Sequence, residues 1–103
     1  MRPDVVVELL YFEGCPGHRS VLPVLERLVA EAGAELRQRP IETPEEAAAE
    51  RFLGSPSVRV NGVDVEAGAD RRAGFGLECR LYRTADGLAR MPPEEWIAAA
   101  LAR

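Results

Sequence analysis

One cysteine stands where a strand hands over to a helix, and that junction constrains the fold more than any other stretch. Before it runs Val5-Val6-Val7-Glu8-Leu9-Leu10, apolar and β-branched, a pattern that suits a strand buried on both faces. The junction itself is Tyr11-Phe12-Glu13-Gly14-Cys15-Pro16-Gly17-His18-Arg19-Ser20. After it, Val21, Leu22, Leu25, Leu28, Val29 and Ala32 fall on one helical stripe, with Gly33 as a C-terminal cap. Cys15 is thus predicted at a helix N-terminus, where unpaired N–H groups and the positive end of the helix dipole favour the thiolate. The plain alternative is a small core residue, but a setting between two glycines and a proline argues for a reactive or ligating thiol.

The rest of the chain supplies a scaffold. Residues 34–41 alternate as a second strand, and Thr43-Pro44-Glu45-Glu46 opens a helix expected to run to Leu53 and end at Gly54. Pro23 sits inside the first helix and predicts a kink. Val58-Arg59-Val60 ahead of Asn61-Gly62 reads as a strand entering a hairpin. A polar, glycine-rich excursion follows, then a last strand from Cys79 to Arg83 with Asp86-Gly87 turning after it. Pro92-Pro93-Glu94-Glu95 opens a final helix through Trp96, Ile97 and Leu101. Tyr11, Phe12, Phe52, Phe75 and Trp96 are the expected aromatic core and its rim. Residues 1–103 read as a single α/β domain of order β-α-β-α-β-β-α.

Charge and length narrow the classes of function. The net charge of −4 excludes a basic nucleic-acid groove. No run reaches the roughly 18 apolar residues that span a bilayer. Met1-Arg2-Pro3-Asp4 lacks the layout of a secretory signal, so the expected location is cytoplasmic, with both cysteines reduced at rest. Arg71, Arg72, Arg80 and Arg83 read as surface cations.

Four features in order resemble the thioredoxin-like superfamily. They are the element order, Cys15-Pro16-Gly17-His18 opening the first helix, Pro23 eight residues after the cysteine, and Ser55-Pro56 before the third strand. The resemblance implies a central four-stranded mixed sheet with flanking helices, and a cis proline at Pro56 facing the Cys15 sulfur. It also implies that Gly14, Pro16, Gly17, Ser55 and Pro56 line a substrate-binding surface. Two positions depart from the pattern: His18 replaces the second cysteine of the redox pair, and Leu9 takes the place of a buried acid in the first strand.

His18, the one histidine, lies a helical turn beyond Cys15, where it would favour the thiolate, shuttle a proton or bind metal. A solvated polar residue is its plain alternative. Cys79 stays open between resolving thiol, metal ligand and core residue. In strict family geometry the start of strand four lies far from Cys15, beyond the roughly 7 Å between Cα atoms that a disulfide allows. The long excursion over 63–78 is able to bring it back. The leading expectation is a monothiol thiol–disulfide oxidoreductase in which an accessible Cys15 exchanges with a protein or low-molecular-weight disulfide. Cys79 or, by preference, an external thiol resolves the mixed disulfide, and no cofactor or metal enters. The alternatives are a soft-metal or metalloid thiolate protein using Cys15, His18 and Cys79, and a thioredoxin-fold binding module without chemistry.

Overall fold

The computed structural model describes residues 4–103. Met1-Arg2-Pro3, part of the segment read as lacking a secretory layout, lie outside them. The fold is mixed α/β. Strand β1 (Val6–Tyr11) leads into helix α1 (Pro16–Ala32), then β2 (Glu35–Pro40), helix α2 (Pro44–Ala49), β3 (Ser57–Val60) and β4 (Val63–Asp64). A 3-10 turn (Ala69–Arg71) precedes a hairpin of β5 (Tyr82–Thr84) and β6 (Gly87–Ala89), and α3 (Glu94–Ala102) ends the chain. The main sheet has the order β2-β1-β3-β4, with β1 parallel to β2 and antiparallel to β3.

β1 is therefore a central strand, and its apolar run is explained by burial on both sides. Val7, Leu9 and Tyr11 face a core shared with Val21, Leu25 and Leu28 of α1, Val58, and Ile97 and Leu101 of α3. Leu10, of opposite parity, packs with Ile41, Ala47 and Phe52 on the other face. Leu9, where the resemblance would put a buried acid, is fully buried in the apolar core. α1 runs unbroken through Pro23 and closes on Gly33, whose φ of 69° is the left-handed cap conformation. At the start of α2, Thr43 Oγ1 accepts from the Glu46 N–H at 3.1 Å, as the Thr-Pro-Glu-Glu start predicts.

Two expectations need correction. The helix over 44–53 stops at Ala49. Arg51 turns left-handed at φ 53° and the Phe52 N–H bonds to the Ala47 carbonyl at 2.8 Å, which swings the buried Phe52 ring into the second core. Gly54 is consequently no helix cap. A Cβ there would stand 2.9 Å from the Glu78 carbonyl oxygen, so glycine is required by a close approach of backbone.

The second correction concerns the fourth strand. The return arm of the Asn61-Gly62 hairpin, β4, takes that place in the sheet. The segment beginning at Cys79 lies outside it. Cys79 forms one isolated parallel bridge with Ser55, and Tyr82–Thr84 pairs instead with Gly87–Ala89. Val63 and Asp64 suffice to close the hairpin because Asn61 and Gly62 both adopt positive φ, the conformation a tight turn needs.

Candidate functional site

The parallel β1–β2 pair forces the chain to cross over through α1, so the β1–α1 junction lies at one end of the sheet. Cys15 occupies the N-cap position of α1 in extended conformation, with Pro16 at the first helical position. Its side chain is turned inward and is only 2 % exposed. The Cys15 thiol donates to the Ser55 carbonyl oxygen at 3.4 Å. An accessible Cys15, which the exchange reading expected, is therefore not what the fold presents. Of the two sulfurs, the exposed one is Cys79.

Ser55 is the hub of the site. Its N–H donates to the Glu78 carbonyl at 2.8 Å, and its own carbonyl accepts the Arg80 N–H at 2.9 Å. That same oxygen takes the Cys15 thiol, while Ser55 Oγ accepts the Phe12 N–H at 3.3 Å. Ser55 thus meets Cys15 through its carbonyl and Cys79 through the backbone bridge. As bridge partners, Ser55 and Cys79 project to the same side of the pairing. That is the side on which Ser55 Oγ accepts the Phe12 N–H. The excursion returns the Cys79 backbone to a bridge with Ser55, the residue whose carbonyl takes the Cys15 thiol.

The Ser55–Pro56 bond is cis. Pro56 is fully buried, with its carbonyl accepting the Tyr82 hydroxyl at 2.6 Å. Gly17, also buried, carries no side chain because a Cβ would lie 2.7 Å from Pro56 Cδ. Gly17, Ser55 and Pro56 therefore serve as packing and hydrogen-bonding positions beneath the site, whereas Gly14 and Pro16 are exposed beside it. Gly14 supplies the positive φ of 87° that turns the chain from β1 toward α1.

His18 is engaged elsewhere. Its ring stacks on Tyr11 with centroids 3.8 Å apart and planes 2° from parallel, and Nε2 lies 3.4 Å from Gln38 Oε1. Among the described residues, no group of three or more His, Cys, Asp or Glu side chains is placed to hold a metal ion. A solvent-open cleft of about 1030 Å³, bordered by Arg51, Arg59, Val63, Phe75 and Trp96, includes neither cysteine.

Arg80, read from sequence as a surface cation, is instead 2 % exposed. Its guanidinium forks onto both Asp64 carboxylate oxygens at 2.8 and 3.0 Å, reaches Glu66 at 2.8 Å and Ser57 Oγ at 2.9 Å, and lies over the Tyr82 ring. Burial alone would lower its pKa, but the Asp64 and Glu66 carboxylates outweigh burial and the net shift is upward. Burial is also the main cause that raises the Tyr82 phenol. Arg80 projects away from Cys79, to the opposite side of the segment. By anchoring the chain there it fixes the preceding residue, Cys79, against Ser55. Local sequence carries no sign of this role, because the two carboxylates come from β4 and the turn after it.

Compared with protein-family models the sequence matches none, and a search of curated proteins finds no match either.

Proposed function

We propose that this chain is a thioredoxin-like thiol–disulfide oxidoreductase in which Cys15 works with Cys79 as its second thiol. The observation that carries the reading is the shared Ser55 oxygen. The Cys15 thiol sits on it, and the backbone that carries Cys79 is bonded to it. The order of the main sheet, the cysteine at the start of α1 and the cis peptide before Pro56 support the thioredoxin-like assignment.

Chemically, the pair exchanges two thiols for one disulfide. A disulfide substrate is reduced to two thiols while Cys15 and Cys79 become linked, and an external thiol reductant restores them. The N-terminus of α1 favours the negative charge that a sulfur carries in such exchange. His18 takes no proton in this scheme, since its ring belongs to Tyr11 and Gln38.

The test is turnover of a small disulfide by an external thiol, with and without the protein. The wild type is expected to accelerate exchange, and Cys15→Ser to lose at least about tenfold of that acceleration. A Cys15→Ser protein that is folded and fully active removes the reading.

A further inference from the structure

The exposed and buried thiols have unequal access to solvent, and this inequality assigns an order to the chemistry. Cys15 is 2 % exposed, and its thiol is held on the Ser55 carbonyl. Cys79 is exposed on the outer segment. An electrophile arriving from solvent meets Cys79 first.

A second observation limits what that electrophile is. A backbone N–H and C=O beside a reactive sulfur are the groups by which an extended peptide would add a strand. At Ser55 both are already used, the N–H by the Glu78 carbonyl and the C=O by the Arg80 N–H. The position that a peptide substrate would fill is filled by the chain's own residues 78–80, and Arg80 locks them there through Asp64 and Glu66. Pro56, beneath, is covered by Gly17 and Tyr82.

We propose that Cys79 is the entry nucleophile, that Cys15 is the resolving thiol behind it, and that the substrate is a low-molecular-weight disulfide rather than an extended peptide. The proposal rests on the exchange reading above and adds the order and the substrate class. In the first step the Cys79 thiolate attacks one sulfur of RS–SR. The Cys79–SR bond forms, the substrate S–S bond breaks, and RS⁻ leaves to take up the proton that Cys79 released. In the second step Cys15 gives up its proton and attacks the Cys79 sulfur. The Cys15–Cys79 bond forms, the second RS⁻ leaves with that proton, and the Cys15 sulfur abandons its bond to the Ser55 oxygen. The substrate gains two electrons and the protein loses two. An external thiol reductant reverses the protein's oxidation.

The experiment uses the full chain and an aromatic disulfide, 5,5′-dithiobis(2-nitrobenzoate), whose released thiolate is coloured. Wild-type protein quenched early is digested without reductant and its adduct located by mass. The first adduct is expected on Cys79, followed by release of a second equivalent and a linked Cys15–Cys79 peptide pair. Cys15→Ser is expected to release one equivalent only and to retain the adduct on Cys79. Cys79→Ser is expected to lose at least about tenfold in initial rate, since its remaining thiol is shielded. In a second arm, an aliphatic disulfide is compared free and within an extended peptide, and no rate gain is expected from the peptide.

A first adduct on Cys15, with Cys79→Ser reacting at the wild-type rate, overturns the order. If turnover still requires Cys15 in that case, the exchange reading stands without it. A wild-type adduct that persists on Cys79 and never passes to Cys15 overturns the resolving step. Inertness of both cysteines overturns the order and the exchange reading together. A peptide rate gain of about tenfold or more, the mark of strand addition at Ser55, overturns the substrate class. Early mapping on the wild type needs no variant to fold, so each outcome stays readable.

Discussion

Gly17 and Pro56 touch so closely that a methyl group on Gly17 would stand 2.7 Å from Pro56 Cδ, and 2.5 Å from the Arg90 carbonyl oxygen. A backbone oxygen and a buried ring cannot yield as the end of a flexible side chain would. Gly17→Ala is therefore expected to destabilise the fold by about 1–3 kcal/mol of overpacking. The gain in helix propensity, at most about 1 kcal/mol, is smaller and falls within the first turn, where it counts least. Urea unfolding measures the difference. An unchanged or raised midpoint would show that the helix start slides without cost.

Arg80→Met should be among the most damaging substitutions in the chain. It leaves Asp64 and Glu66 facing a buried apolar side chain, and removing one partner from such a network costs about 3–5 kcal/mol. Arg80→Lys keeps the charge but not the fork onto both Asp64 oxygens, so it should recover only part of the loss. Chemical denaturation of the three proteins checks this, and equal stability of the methionine variant and wild type would refute it.

Tyr82 makes stability depend on alkaline pH. Its buried phenol has a folded-state pKa raised above the ordinary value of 10.0. The unfolded chain therefore gives up this proton first. The contribution to stability is intact below about pH 10 and declines as pH rises beyond it. The sequence has no lysine to blur that range. Tyr82→Phe should flatten the alkaline decline. At neutral pH it should cost about 1–3 kcal/mol, because the buried Pro56 carbonyl loses its donor. Unfolding free energies at pH 7 and above pH 10 give both quantities, and an equally steep alkaline decline in Tyr82→Phe would count against the argument.

His18→Ala is expected to lower stability by about 0.5–1.5 kcal/mol, the range for a stacked aromatic pair. It should leave the pH profile of thiol reactivity unmoved. Thiol alkylation followed across pH 5–9 in both proteins tests this. A profile that shifts in the variant would return His18 to a proton-transfer role.

Much of the scaffold was legible in the residues because its signals are local. The two-sided apolar run of β1, the stripe along α1, the Thr43 cap and the Asn61-Gly62 turn each act within a few neighbours. What escaped reading depends on distant partners. Arg80 is buried because Asp64 and Glu66, 16 and 14 residues earlier, converge on it from the hairpin. Gly54 looks like a helix cap until residues 78–80 are laid against it. Cys15 looks accessible at its loop, yet it is covered by the Ser55 peptide group that the same segment pins. His18 sits one turn from Cys15 as its spacing implies, but Tyr11 and Gln38 claim its ring.

The 65–81 arc that carries Cys79 is tied to the body by few long-range bonds. Among the described residues these are Val65 to Val58, Arg51 to the Asp70 carbonyl, Gly76 to Phe52, the two backbone bonds at Ser55, and the Arg80 anchor. Segments held so sparsely open at a lower free energy than the sheet beneath them. Amide exchange at Ser55 and Arg80 should consequently be faster than at Val7 or Val58, whose strands lie within the core. The rate at which a reagent finds the Cys15 sulfur then reports the opening of one arc, while the rest of the molecule stays folded.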